Sequence, residues 1–226
     1  KEEQVKESQR YTQRKKPERR PPDIWHHHHH YYIIMQGEQA LVSCGTSTGP
    51  VVMHFYRDWS PHGYDRAVEL YEKGFFDHSH FFRAVPNFLV QFGITYSQDE
   101  ELRSFMQDTI NDDPQLDPPI PFKLGTMAFA GSGPDSRTTQ MFIAYGEIPS
   151  LGSNPWETPF GVVEDGIDNV IRFHSYGDMA PWGQGPNPHQ IMSQGSGYVE
   201  TGFPLLDKFE TCTVERITPS ETETEL

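Results

Sequence analysis

From about Gly37 the chain sets short apolar runs between clusters of turn-forming residues, a pattern that predicts strands more often than helices. The stretch "QALVSCGTSTGPVVMHFYR" reads as a hairpin, with a strand over Ala40–Cys44, a Gly/Ser/Thr loop and a strand over Val51–Arg57. In "SPHGYDRAVELYEKGFF" the spacing changes. Ala67, Leu70 and Tyr71 fall at i, i+3 and i+4 and Gly74 supplies a C-terminal stop, so a helix is expected. "FFRAVPNFLVQFG", Phe81 to Gly93, has period two on either side of Pro86-Asn87 and predicts two strands joined by a turn. "SQDEELRSFMQDTINDDPQLDPPIPF" is a long polar excursion in which Ser97 and Glu100 suit a capping box for one short helix. "LGTMAFAGSG", "TTQMFIAYG" and "TPFGVVE" predict three more strands, and "DGIDNVIRFHS" a second helix with Ile167, Val170 and Ile171 on one face. Residues 175–200 read as a Gly/Pro-rich loop, and "FETCTVERI" as the closing strand.

Seven or eight short strands with two helices predict a mainly β fold, and Gly and Pro at 19 each suit its many turns. Such domains hide their strand edges by closing into a barrel or by pairing two sheets. If the first and last strands pair and complete the closure, Cys44 and Cys212 come close enough for a disulfide. The simpler reading of these two cysteines is a pair of small apolar core residues, since two make neither a disulfide framework nor a zinc site.

Charge divides the chain further. Residues 1–23 hold eight Lys/Arg against five Asp/Glu, while the other 203 residues hold ten against 27. An acidic body excludes a phosphate-tracking groove, so no nucleic-acid partner is expected. Residues 1–36 read as a basic, disordered or weakly helical leader, 37–217 as the globular domain, and 218–226 as an acidic tail. Within the leader, the run His26–His30 alternates faces in an extended chain and makes a poor preorganised metal site, so no metal role is assigned to it. No apolar run approaches the roughly 20 residues a membrane-spanning helix needs. The first residue is Lys1 rather than Met, which leaves room for an upstream signal or anchor and leaves the compartment open between cytoplasm and secretory lumen.

One feature of "FFRAVPNFLVQFG" is not explained by strand pattern: Arg83 and Gln91 interrupt its apolar runs. This segment resembles the Phe-x-Arg-x-x-Pro-x-Phe-x-x-Gln signature of the cyclophilins, which are peptidyl-prolyl cis-trans isomerases. "GTMAFAGSGPDSRTTQMFIAYG" and "PFGVVEDGIDNVIRF" resemble two further blocks of that family, in the same order, and the likeness runs from about Gly37 to Ile217. It implies a closed eight-stranded antiparallel barrel capped by two helices, probing proline-containing polypeptides as a monomer and assisting their folding without cofactor or metal.

Rotation about an Xaa-Pro bond needs no nucleophile or leaving group; the obstacle is amide resonance, a barrier of about 18–20 kcal/mol. A catalyst must seat the proline ring and favour the twisted amide over either planar form. By the resemblance, Arg83 is the catalytic residue, its guanidinium aimed at the prolyl nitrogen as that atom regains its lone pair. Phe88, Leu89 and Phe142 match the proline pocket, with Leu151 at its edge. Gln91 and Gln140 match polar groups that hold the substrate backbone, and Ala130–Gly131 the segment that pairs with an extended peptide. The family's pocket Trp falls on Ser150, and its pocket His on Trp156 or Glu157, of which Trp156 is taken as a substrate contact. Taken singly, the arginine would read as a solvated face residue and the apolar residues as core. Two other functions compete: a weakly active or non-catalytic proline-peptide scaffold, and a lectin-like barrel using exposed aromatics.

Overall fold

Along the first strand Ala40, Val42 and Cys44 are buried while Leu41 and Ser43 are less so, the alternation of a sheet with one face on the core. The computed structural model describes residues 37–219; the leader with His26–His30, and the tail from residue 220, lie outside the described residues. In chain order the elements are β1 Gln39–Thr46, β2 Val51–Tyr56, α1 Pro61–Glu72, β3 Arg83–Val85, β4 Leu89–Phe92, α2 Glu100–Ser104, β5 Thr126–Phe129, β6 Met141–Ala144, β7 Gly161–Asp165, α3 Ile167–Val170, α4 Pro188–Gln194, α5 Ser196–Gly202 and β8 Phe209–Ile217. All ladders are antiparallel, in the order β3-β4-β6-β5-β7-β2-β1-β8.

The sheet curls into a half-barrel that is not closed, which corrects the expected closed barrel. β3 and β8 remain its edges; the segment before β3 meets the start of β8 through a bridge between His80 and Lys208 and through His78 N–H donating to Glu210 O at 3.1 Å. The cause is local. β3 is three residues long, and its outer side is occupied by Gly177, which bridges Ala84.

Inside the curl lies an aromatic core of Phe55, Tyr71, Phe76, Phe81, Phe92 and Phe209, all buried. Helix α1 packs over it through Tyr64, Ala67, Val68, Leu70 and Tyr71. It ends where expected. Gly74, at φ +68, donates its N–H to Tyr71 O and lets Phe75 N–H reach Leu70 O, at 3.1 and 2.9 Å. Pairing of β1 with β8 sets Cys44 directly opposite Cys212, with Cα atoms 4.1 Å apart, and the two form a disulfide rather than separate core thiols.

Three expectations need correction. The second helix is a single turn, α3, and Ile171 is 47% exposed instead of sharing a buried face with Val170. The cap of α2 is Asp99, whose Oδ1 accepts from Leu102 N–H at 3.0 Å; Ser97 instead accepts from Asp99 N–H. The Gly/Pro-rich stretch 175–200 contains α4 and most of α5, whose Ile191 and Val199 form a small satellite core with Phe82, Ile94 and Leu206. Helices of seven residues span too few turns to display a period.

Candidate functional site

The turn joining β3 to β4 fixes the geometry that follows. Pro86 holds its second position and Asn87, at φ +62, its third, while Phe88 N–H closes on Val85 O at 3.0 Å. The resulting register sets Arg83 opposite Gln91, and Gln91 opposite Phe142 on β6. Residues directly opposite in a sheet share a face, so these three stand abreast.

Their polar ends form a chain of hydrogen bonds. Arg83 Nη1 donates to Gln91 Oε1 at 2.9 Å, and Gln91 Nε2 donates to Gln140 Oε1 at 2.9 Å. On its other edge the guanidinium donates from Nε to Asp178 Oδ1 at 2.6 Å and from Nη2 to Asp178 Oδ2 at 3.2 Å. Its Cζ also lies 5.7 Å from the centre of the Phe88 ring. The Arg83 side chain is 17% exposed, so it lies at the boundary between interior and solvent. The hydrogen bonds from Arg83, more than offsetting the cost of burial, hold the Asp178 carboxyl below its usual pKa.

Beside this row is an apolar cluster. Leu89 and Phe142 are buried in it, and Phe88, Ala130 and Leu151 pack against it partly exposed. Phe122 and Ile148 belong to the same cluster, and the Phe122 ring stacks on Phe142 with centroids 5.6 Å apart. A groove of about 330 Å³ continues from it, lined by Phe122, Ile148 and Leu151 together with Pro119, Ile120 and Pro121. Ala130 N–H pairs with Gln140 O at 2.9 Å, and Gly131 beside it is exposed.

Nine of the ten predicted site residues thus lie along the polar row, in the cluster or on the strand segment beside them. Trp156 stands apart from the cluster: its indole packs over Gly131, where a Cβ would come within 3.0 Å of Trp156 Cδ1. Glu157 turns back to its own loop and accepts from Gly152 N–H and Asn154 N–H at 2.9 and 3.3 Å. Ser150 is exposed. Sequence reasoning missed Phe122, Ile148 and Asp178. The run "PPIPF" hinted at an ordered apolar segment ending the polar excursion, but nothing in "YGDMAPWGQG" marked Asp178 as a partner for an arginine 95 residues away.

Among the described residues no group of three His, Cys, Asp or Glu side chains is disposed to hold a metal ion. The arrangement offers an apolar surface for a ring and a fixed, charged donor at its rim. That combination can grip a neutral ligand and polarise one of its atoms, and it needs no proton transfer to do so.

The model of the family described as cyclophilin type peptidyl-prolyl cis-trans isomerase/CLD matches residues 41–194. Similar curated proteins include peptidyl-prolyl cis-trans isomerase-like 1 of Gibberella zeae, 26% identical over 128 residues, covering 56% of this chain and 76% of that one. Another is peptidyl-prolyl cis-trans isomerase CYP18-2 of Arabidopsis thaliana, 28% identical over 144 residues, covering 62% and 84%. The fold is similar to the crystal structure of a Cryptosporidium parvum cyclophilin type peptidyl-prolyl cis-trans isomerase, with a TM-score of 0.56 and 15% identity over 79% of this chain and 98% of that one. The same protein in the presence of the dipeptide Ala-Pro gives a TM-score of 0.55 at 14% identity, over 77% and 98%.

Proposed function

The chain belongs to the cyclophilin-type peptidyl-prolyl cis-trans isomerase family, and we propose that it catalyses rotation about Xaa-Pro bonds in polypeptides with Arg83 as its catalytic residue. The observation that carries this reading is the row Arg83–Gln91–Gln140 standing beside the apolar cluster of Phe88, Leu89, Phe142 and Leu151. The cluster takes the proline ring and excludes water from it. As the amide twists, the prolyl nitrogen becomes an acceptor, and the guanidinium stabilises that state more than either planar one. Each 1.4 kcal/mol or so of such selective stabilisation is worth about tenfold in rate.

Gln91 and Gln140 fix the neighbouring carbonyls and amides, and the backbone at Ala130–Gly131, exposed at Gly131, pairs with the extended chain, so that one bond turns while its flanks are held. The Ala-Pro dipeptide named with the Cryptosporidium parvum structure supports proline-containing peptides as the ligand class. A protease-coupled assay on an Xaa-Pro peptide tests the proposal: the wild type speeds exchange and Arg83→Ala does so far less.

A second reading, a proline-peptide binding domain with little turnover, is favoured by one observation. Phe122 covers part of Phe142, leaving that ring 5% exposed. Equal peptide affinity in wild type and Arg83→Ala, with neither accelerating exchange, selects this reading.

A further inference from the structure

We propose that Asp178 is a positioning residue for Arg83, holding its guanidinium in one orientation at the rim of the apolar cluster. The inference rests on the isomerase reading for its consequence in turnover, but its geometry stands independently. An arginine side chain has many rotamers to lose, and one without partners at a pocket rim would sample many directions. Here three of its five N–H groups are taken: Nε and one on Nη2 by Asp178, one on Nη1 by Gln91. The plane of the guanidinium is thereby set from both edges, and its two other N–H groups are left for a ligand. Gln91 alone would leave the fork free to swing about a single bond.

Asp178 is itself held by the backbone around it. Gly177 at φ +86 bridges Ala84 of β3, and Ser175 Oγ donates to Ala84 O, so this segment runs along the strand that carries Arg83. Met179 N–H donates to Asp178 Oδ1 at 2.7 Å, and Gly185 N–H to Asp178 O at 2.8 Å. The turn closes tightly enough that a Cβ on Gly183 would lie 2.3 Å from Asp178 O. Only glycine fits that approach. A carboxylate on so constrained a turn acts as a fixed bracket, and a bidentate carboxylate sets a guanidinium plane more firmly than any single acceptor. The β3 edge is thus exchanged for a strap: the backbone that leaves the half-barrel open also delivers Asp178 to Arg83.

The test uses Asp178→Asn, Asp178→Ala and Gly183→Ala, with Arg83→Ala and the Arg83→Ala/Asp178→Ala pair for a double-mutant cycle. In Asp178→Asn the amide nitrogen faces Nη2 donor to donor, which breaks the fork while keeping the shape. Gly183→Ala displaces the turn without altering charge. Nitrogen-15 NMR of the Arg83 Nε–H reports the bracket directly, whether or not the protein turns over. A slowly exchanging signal in the wild type that is lost in Asp178→Ala and Gly183→Ala, and retained but weakened in Asp178→Asn because Oδ1 still accepts from Nε, is expected, with kcat/KM on an Xaa-Pro peptide down about tenfold and peptide affinity changed less than about twofold. In the Arg83→Ala background the Asp178→Ala change should have no further effect. An unprotected wild-type Nε–H, or an Asp178→Ala loss that persists undiminished without Arg83, overturns the proposal. A protected Nε–H in a wild type without turnover supports the bracket while ending the isomerase reading, so the two failures are distinguishable.

Discussion

Arg83 and Gln91 face each other across the β3–β4 ladder and are joined by a 2.9 Å hydrogen bond from guanidinium to carboxamide oxygen. Neither could be placed by the other if the turn at Pro86-Asn87 shifted the register by one residue, because every side chain would then change face. Replacing Arg83 by Ala should lower kcat/KM by about 10²–10³, the range found when one donor to a developing charge is removed. Lys in its place keeps the charge but lacks the planar fork that spans both Asp178 oxygens and Gln91, so it should recover little. Peptide affinity should change far less than turnover in both, as titration calorimetry would show.

Gln91 is 6% exposed and occupies the middle of the polar row, donating to Gln140 while accepting from Arg83. Gln91→Glu preserves size but removes the donor to Gln140 and sets a carboxylate against the guanidinium. The expected result is a fall of about tenfold in kcat/KM, since a second carboxylate on a guanidinium already paired with Asp178 leaves it less positive toward a developing lone pair. Gln91→Leu should instead leave Arg83 Nη1 short of a partner and weaken peptide binding. The same coupled assay with a binding titration separates the two.

How much of this was legible beforehand differs by element. Period two marks β1, β2, β3 and β4 in the sequence, and the ordered blocks there point to Arg83, Gln91 and Phe142 together. Asp178 was not legible, because its position depends on a glycine turn that approaches its own backbone within a Cβ radius and pairs with β3 across 95 residues. Phe122 was hidden for a different reason: it ends a polar excursion, and only tertiary packing turns it onto Phe142. The open edge between β3 and β8 was equally invisible, since strand counting cannot say that a three-residue strand will pair with Gly177 instead of β8.

The disulfide between Cys44 and Cys212 ties the first strand to the last across 168 residues of sequence. Cross-linking so long a loop restricts the unfolded chain strongly, and its loss should cost about 2–5 kcal/mol. Cys212→Ser should therefore lower the denaturant midpoint clearly and steepen the slope of unfolding, because the released unfolded chain exposes more surface. Thiol titration of non-reduced, denatured wild type should find none; two thiols per chain would contradict the pairing.

His80 is buried beside Tyr96, with Nδ1 2.7 Å from the phenol oxygen, and burial, aided by Lys208, pushes its pKa down to about 4. The unfolded chain binds a proton at about 6.5, so between those values it takes up more protons than the native state and stability rises with pH. The contribution is fully present above pH 6.5 and is lost as pH falls toward 4. His54, also lowered by burial, adds in the same direction. His80→Asn should flatten the dependence of melting temperature on pH in that window, and a slope equal to the wild type's would show that His80 does not set it.

Arg137 and Asp113 form a fully buried ion pair at 3.0 Å, the arginine from the loop before β6 and the aspartate from the polar excursion. Asp113 also receives His62 N–H and Gly63 N–H at 2.7 and 3.0 Å and the Ser60 hydroxyl, so it satisfies the first turn of α1 from outside that helix. One carboxylate therefore fastens the excursion, α1 and the loop carrying Gly131 to a common point. Among the described residues Arg137 Nε and Nη1 have no hydrogen-bond partner, which makes the guanidinium costly to leave alone. Asp113→Ala should destabilise the protein by about 3–5 kcal/mol, the penalty of an uncompensated buried charge together with lost helix-end bonds. Adding Arg137→Met removes that charge and should return a good part of the loss, because an apolar chain of similar volume suits the ring of Phe129 beneath it. Urea unfolding of the single and double variants measures the difference, and equal stability of the two would mean that Arg137 finds water or another acceptor once Asp113 is gone.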